Sequence, residues 1–388
     1  MRSCKQLLFL SNGHGEDVAA AAVIDQLRLV RKDLSIKAIP IVGKGTAYNK
    51  AGAEIVGPPA DLPSGGFMRL GVRNLLMDLK AGLIGLTLKQ IRELKKIAGE
   101  TDLVVACGDV VPLLLTSLFV RKPVFFIATA KSEYINGHYL IEKFFMKYLA
   151  CRVFTRDEAT AGDLRRFGVK AQFIGNPVMD AVKISGESFG IPEGSKAIGF
   201  LPGSRIDAYM HMVFFLSVVE SLESMKTSDL SYLFSFYEGL DLDRLKGVIE
   251  KSGWEVKPGT DSVWRVLRRG RMEVILVRDR FGDMIKKSSL VIGLAGTGNE
   301  QAAGFGRPVV AFKSAAGQYN ERFLKSQKKL LGENLAVVQA EPALVAGEAL
   351  GILEDRTRYG RMSQCGIERV GPEGGAEKIA GEISAFLL

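Results

Sequence analysis

The chain is 388 residues long, which favours two domains that each bury a core of their own. Its hydrophobic share of 47% and charged share of 24% exclude a disordered or fibrous chain, and the net charge of +9 suits anionic partners such as nucleotide phosphates, lipid headgroups or nucleic acid. Four scattered cysteines and three scattered histidines never fall at metal-ligand spacing, so no zinc site is expected and a reduced, cytoplasmic setting is the simplest.

In chain order, the first strand is predicted over Gln6–Leu10; its apolar run is too short for the core of a signal peptide. Directly after it comes SNGHGED, residues 11–17, ahead of the helical run from Val18. A glycine-rich strand-to-helix turn suggests a phosphate cradle, but Val18 stands where the third glycine of a dinucleotide fingerprint belongs, and Asp33 is a poor ribose partner. The turn is therefore not expected to be the nucleotide cradle; Gly13 and Gly15 leave room for a ligand beside Glu16 and Asp17, and His14 is a candidate base, while the resemblance given below implies that this turn contacts an acceptor. The plainer role for His14 is a hydrogen bond to backbone.

After a strand at Ile36–Pro40, the segment Ser64–Lys96 combines many large apolar residues with seven Lys/Arg against two acids. Such a stretch either lies in a membrane interface, where it can deliver a lipid acceptor, or forms a buried crossover helix with solvated cations. Strands follow at Leu103–Cys107 and Val124–Ala128; Gly108, Asp109 and Pro112 exclude a membrane span over Leu103–Val120. Asp109 is a second candidate base, in competition with capping of the helix that begins at Val110. Strands at Arg152–Thr155 and Ala171–Ile174 close this half.

The glycine-rich stretch 183–196 is the best linker. It separates a first α/β domain, 1–182, which the resemblance given below implies is the acceptor-binding one, from a second α/β domain, 197–365, with a helical tail, 366–388, that can pack back on the first. Strands in the second half are predicted at Ala197–Leu201, Leu233–Phe236, Glu273–Val277, Leu290–Gly293 and Val309–Phe312. Short strands alternating with helix-length segments predict doubly wound parallel sheets, with ligands at the carboxyl ends of the strands in a cleft between two domains.

Three loops of the second half carry anion-binding chemistry. Leu201-Pro-Gly-Ser-Arg205 turns sharply, lets backbone approach a ligand at Gly203, and offers the Ser204 hydroxyl and the Arg205 guanidinium. Gly296-Thr-Gly-Asn-Glu-Gln301 leads from a strand into a helix whose N-terminus can seat a diphosphate, with Glu300 in its first turn for a ribose diol. Gln318 and Asn320 can reach a nucleotide or sugar, or simply cap the next helix. Asp241-Leu-Asp243 matches a metal-binding D-x-D only formally and sits where a helix start favours acids.

Leu201–Arg205, Gly296–Glu300 and Phe173-Ile-Gly-Asn-Pro-Val-Met-Asp180 resemble, in this order, three landmarks of the lipid-A-disaccharide synthase family and its relatives. The resemblance implies a GT-B architecture of two Rossmann-like domains, and transfer of a sugar from a UDP-sugar, a substrate rather than a cofactor, without a metal. It implies that the second half binds the donor, with Gly203, Ser204 and Arg205 on the diphosphate, Thr297 and Gly298 at its helix end and Glu300 on the ribose; Gly296, Gln301, Gln318 and Asn320 are taken as donor-binding from their place in the same loops. It further implies that Asp109 is catalytic, that the acceptor is a lipid or cell-envelope molecule, and that the enzyme works on the inner face of the cytoplasmic membrane. Departures from the family pattern at Asn12–Asp17 and Ala128–Tyr134 fall in the acceptor half and point to a different acceptor. Two other readings remain open: a UDP-sugar 2-epimerase, for which His211 within a helix looks poorly placed, and a non-catalytic nucleotide-sugar-binding protein. Nucleic-acid binding lacks a basic platform interleaved with aromatics.

Overall fold

A computed structural model describes residues 4–57, 83–237, 239–260, 264–315, 317 and 319–388; at His14, Leu83 and Ile84 it describes the backbone alone. The chain divides into two compact units, one taking residues up to Ala181 together with Pro372–Leu388, the other Val182–Gly371.

The first unit begins β1 (Gln6–Ser11), α1 (His14–Val30), β2 (Ser35–Pro40), α2 (Thr46–Lys50) and β3 (Glu54–Ile55). It continues through α3 (Leu83–Ile97), β4 (Leu103–Cys107), α4 (Val110–Phe119), β5 (Val124–Ala128) and α5 (Leu140–Leu149). Then come β6 (Arg152–Thr155), α6 (Glu158–Arg166), β7 (Ala171–Gln172) and the short α7 (Pro177–Asp180). Its seven strands are all parallel, in the order β3-β2-β1-β4-β5-β6-β7. LVVAC and VFFIA are unbroken apolar runs because helices cover both faces of the sheet. One face packs residues of α1 and α2, where the run of alanines at 19–22 lets α1 lie close to the strands; the other packs residues of α3, α4, α5 and α6.

The second unit runs β8 (Lys196–Leu201), α8 (Ala208–Met225), β9 (Leu230–Phe236), α9 (Leu242–Lys251), β10 (Glu255–Pro258), β11 (Arg265–Arg269) and β12 (Met272–Arg278). It ends with α10 (Phe281–Lys287), β13 (Leu290–Gly293), α11 (Gly296–Gly304), β14 (Val309–Phe312), α12 (Glu321–Leu331), β15 (Leu335–Val338), α13 (Pro342–Glu354) and α14 (Arg356–Val370). Strand order is β10-β11-β12-β9-β8-β13-β14-β15, parallel except for β10 and β11, which run antiparallel at one edge. Two boundaries differ from the sequence expectation. Helix α14 runs unbroken through 365–366, so the second unit extends to Gly371. The stretch 183–196 belongs to that unit: the buried Asp283 carboxylate accepts hydrogen bonds from the Ser185 N–H at 2.7 Å, the Ser185 hydroxyl at 2.8 Å and the Gly186 N–H at 2.7 Å.

The last helix, α15 (Gly375–Phe386), returns to the first unit. Ala376, Ile379, Ala380 and Ile383 join the core beside α1, and the Phe386 ring meets Phe125 edge-on at 5.1 Å. Its uncapped N-terminus is satisfied from the G-N-P-V-M-D landmark: Asp180 accepts from the Gly374 N–H at 2.5 Å and the Ala376 N–H at 2.6 Å. Backbone meets backbone beside this contact, since a Cβ on Gly175 would stand 2.7 Å from the Gly375 Cα.

Candidate functional site

In each unit the strand order reverses at one place: successive crossovers leave β1 and β8 first on one side, then on the other. In an open α/β sheet a crevice forms at that point, beyond the carboxyl ends of the strands. The register brings the paired ends level there, Ser11 opposite Cys107 in the first unit and Leu201 opposite Gly293 in the second. The loops that emerge side by side are those the sequence singled out: 12–13 beside 108–109, and 202–207 beside 294–295.

In the first unit α1 starts at His14 rather than near Val18, so His14, Gly15, Glu16 and Asp17 form its first turn. Gly13 precedes it in extended conformation, and no side chain caps the helix. Among the described residues, nothing outside its chain neighbours and its own helix lies within 4 Å of where a Gly15 Cβ would be. The neighbouring loop lies against this turn: the Asp109 N–H donates to Asn12 Oδ1 at 3.3 Å, and a Cβ on Gly108 would fall 1.7 Å from the same oxygen. Gly108 also has φ of +121°, so two constraints make it glycine.

The geometry corrects one predicted contact and shows the capping role of Asp109. Asp17 is buried, not presented: the Ser11 hydroxyl donates to it at 2.5 Å and the Tyr48 hydroxyl donates to Ser11 at 2.5 Å. Burial and then the Asp17 charge push the Tyr48 hydroxyl well above its ordinary pKa, so Tyr48 stays a donor at the end of this chain. Asp109 caps α4, accepting from the Val111 N–H at 2.8 Å. Capping, the competing role read from the sequence, is the one observed for this oxygen.

The loop between β5 and α5 emerges at the same end of the sheet and holds a cluster that sequence reasoning did not find. Lys131 donates to both oxygens of the buried Glu142, at 2.7 and 2.6 Å, and His138 Nδ1 lies 3.5 Å away. Burial opposes ionisation of Glu142, but His138, Lys131 and the Tyr139 N–H outweigh it and bring the carboxyl down to about 2.

In the second unit, Pro202 and Gly203 turn the chain out of β8, with Gly203 at φ +95° and its missing Cβ 3.5 Å from the Leu294 carbonyl. Ser204 and Arg205 are exposed, and the Arg205 guanidinium has no protein partner among the described residues. Next to this turn α11 begins at Gly296 with no side-chain cap, so its first N–H groups point outward together with the positive end of the helix dipole. Thr297 is exposed there; Gly298 packs close enough to Leu201 that a Cβ would stand 3.2 Å from its side chain. Glu300 is the fifth residue of α11, in the second turn rather than the first, because the helix starts earlier than expected; it is half-buried, as is Gln301. Asn320 caps α12, accepting from the Phe323 N–H at 3.1 Å, so its plainer role is the one observed. Gln318 lies outside the described residues. Asp241 caps α9, accepting from the Arg244 N–H at 2.8 Å.

Buried polar side chains hold these loops in place. His211, on α8, donates from Nδ1 to the Pro202 carbonyl at 2.7 Å, since a carbonyl can only accept, and its Nε2 is hydrogen-bonded at 2.7 Å to the Ser314 hydroxyl after β14. Asn299 donates to the Gly293 carbonyl at 3.0 Å and to Gln327 Oε1 at 3.1 Å, and Gln327 donates onward to the Gly296 carbonyl at 2.8 Å. None of these three was read as a site residue; a histidine nine positions beyond Pro202 on the following helix is the one signal the sequence offered. A hollow of 390 Å³ lined by Lys328, Glu348 and Arg358 lies along β15, and none of the loop residues above lines it.

No protein-family model matches the chain. A lipid-A-disaccharide synthase of Geobacter sulfurreducens is 21% identical over 245 residues, which cover 57% of this chain and 59% of that protein. The chain thus matches less than two thirds of that relative's length. A UDP-GlcNAc 2-epimerase from Neisseria meningitidis, solved bound to UDP-GlcNAc, superposes with a TM-score of 0.60 at 17% identity, over 98% of this chain and 100% of that one. MurG of Acinetobacter baumannii gives 0.59 at 12% identity, over 98% and 99%. The two parallel-sheet units are therefore the GT-B fold, shared by glycosyltransferases and these epimerases.

Proposed function

We propose that the protein is a glycosyltransferase that moves a sugar from a UDP-sugar to a lipid or cell-envelope acceptor. The observation that carries this is the chemistry of the second unit's switch point, where the exposed Arg205 and the start of α11, which no side chain caps, emerge from neighbouring loops. Both stabilise a departing diphosphate: the guanidinium forks two phosphate oxygens, and the helix N-terminus supplies N–H donors and positive dipole. In this account the leaving group's charge is met by these groups without a metal. In the same account His14, where α1 begins at the first unit's switch point, takes the acceptor hydroxyl's proton.

An epimerase remains the second reading, favoured by the full-length superposition on the Neisseria enzyme. His211 speaks against it here, since both ring nitrogens are engaged by Pro202 and Ser314 and the ring is buried beneath the loop. Calorimetric titration with UDP tests the shared premise. Wild type binds, and Arg205→Ala lowers the affinity about ten- to a hundredfold, the loss of a charged hydrogen-bonded pair. Equal affinity for the two proteins removes Arg205 from the diphosphate site.

A further inference from the structure

Helix α5 is amphipathic in an unusual sense. Its inner face is buried through Glu142 and Met146, but its outer face is apolar as well. Leu140 is 73% exposed, Ile141 56%, Phe144 50% and Tyr148 64%, at spacings that form one stripe along the helix. The Phe144 and Tyr148 rings pack on each other in this stripe, 4.6 Å between centroids. On the neighbouring helices of the same layer, Leu118 of α4 and Leu88 of α3 are also more than half exposed. Isolated exposed leucines are ordinary on a protein surface, whereas a contiguous stripe of this size marks an interaction face.

Charge identifies the occupant. Helix α3 exposes Lys89, Arg92, Lys95 and Lys96, and α5 exposes Lys147. The single acid of α3, Glu93, is paired with Lys96 at 2.6 Å; α4 has none; and the single acid of α5, Glu142, is buried on Lys131. A second copy of the same cationic face would be repelled, and an uncharged apolar partner would leave the cations without counter-charge. An anionic lipid surface satisfies both components, with apolar and aromatic side chains at the acyl boundary and Lys/Arg among the headgroups. Tyrosines at both ends of the stripe, Tyr139 and Tyr148, suit the interfacial level of a bilayer.

We propose that the outer face of α3, α4 and α5 docks the protein on a membrane surface rich in anionic phospholipid. This extends the expectation for Ser64–Lys96, whose residues 64–82 lie outside the described residues, to a face built mainly on α5. Because α5 follows directly on the β5–α5 loop, docking sets the bilayer beside the sheet end that carries His14. That last consequence rests on the proposed function; the docking itself does not.

The test is sedimentation of the full-length protein with vesicles of phosphatidylcholine alone, or of phosphatidylcholine with about 30% phosphatidylglycerol. Binding is expected to the anionic vesicles only and to weaken with salt. Replacing the stripe (Leu140→Ser, Phe144→Ser and Tyr148→Ser together) should lower the bound-to-free ratio about tenfold or more, with the circular-dichroism spectrum unchanged. Reversing charge at Lys95→Glu with Lys147→Glu should weaken anionic binding while leaving the apolar stripe intact, and decides the matter should the triple variant fail to fold. Unchanged partition of either folded variant, or equal binding to neutral vesicles, overturns the proposal. So does a change in oligomeric state of the triple variant without a change in vesicle binding, which would make the face a self-association surface. UDP titration of the same proteins is read separately: loss of UDP binding counts against the proposed function and leaves the docking result standing.

Discussion

At the scale of single residues, the positions that matter most are polar groups buried under loops. His211 illustrates this. Substitution by Phe leaves the Pro202 carbonyl and the Ser314 hydroxyl without their partner, so thermal stability should fall by about 1–3 kcal/mol, and UDP affinity with it as the Arg205 loop loosens. Unchanged melting and UDP affinity would show that the bridge does not position the loop. Asp283 gives a pH-dependent counterpart. Burial works against its ionisation, but the Ser185 hydroxyl and the backbone N–H groups of Gly186, Ser185 and Glu187 prevail and hold the carboxyl below its ordinary value of 3.8. Its contribution to stability is present above that unfolded value and is lost as pH falls towards the folded one. Asp283→Asn should therefore cost about 1–3 kcal/mol at neutral pH, with the gap to wild type closing as pH falls below about 4. A gap that stays constant in denaturant titrations down to pH 3 would contradict this.

At the scale of elements, the fold was legible where burial is symmetrical. LVVAC, VFFIA, RVFT, LVIG and VVAF are strands with the bounds read from sequence, because a parallel strand covered on both faces is a continuous apolar run ended by turn residues. Of the strands at or next to the sheet edges, β7 was read, as Ala171–Ile174, and the others escaped for the opposite reason. EVKP and RVLRR pair antiparallel on a solvated edge, β15 is four residues at the other edge, and β3 is only two residues long; none buries enough to leave a pattern. The start of α1 was misplaced because glycine at 13 and 15 reads as loop, while the backbone at His14 is already helical. The role of Asp180 was likewise invisible, since its partners are nearly two hundred residues away on α15. Asp180→Ala should cost about 1–2 kcal/mol, the price of a helix cap, and make the amides of α15 exchange with solvent before those of β4. Uniform exchange in the two elements would show that α15 does not depend on that carboxylate.

At the scale of the whole molecule, both units repeat one device: a first strand, a glycine-containing turn and an uncapped helix at the point where strand order reverses. The glycine turns were legible as motifs, and the resemblance carried by L-P-G-S-R and G-T-G-N-E led to the fold that the structure shows. What sequence could not supply is the three-dimensional choice among nearby candidates: which acid caps a helix, which is buried under a loop and which side chain remains available. In the second unit it leaves an exposed cation beside helix N–H groups. The proposed function gives diphosphate binding to these groups and proton removal to His14 in the first unit. His14→Ala is accordingly expected to keep wild-type affinity for UDP while losing about a hundredfold or more in turnover, the usual contribution of a positioned base.

The most direct test is a time course by phosphorus and proton NMR of a UDP-hexose with the protein, with and without a lipid extract as acceptor. The account predicts that UDP accumulates only when the extract is present and that the UDP-hexose is otherwise unchanged. Conversion of the UDP-hexose to its 2-epimer without any acceptor would contradict it.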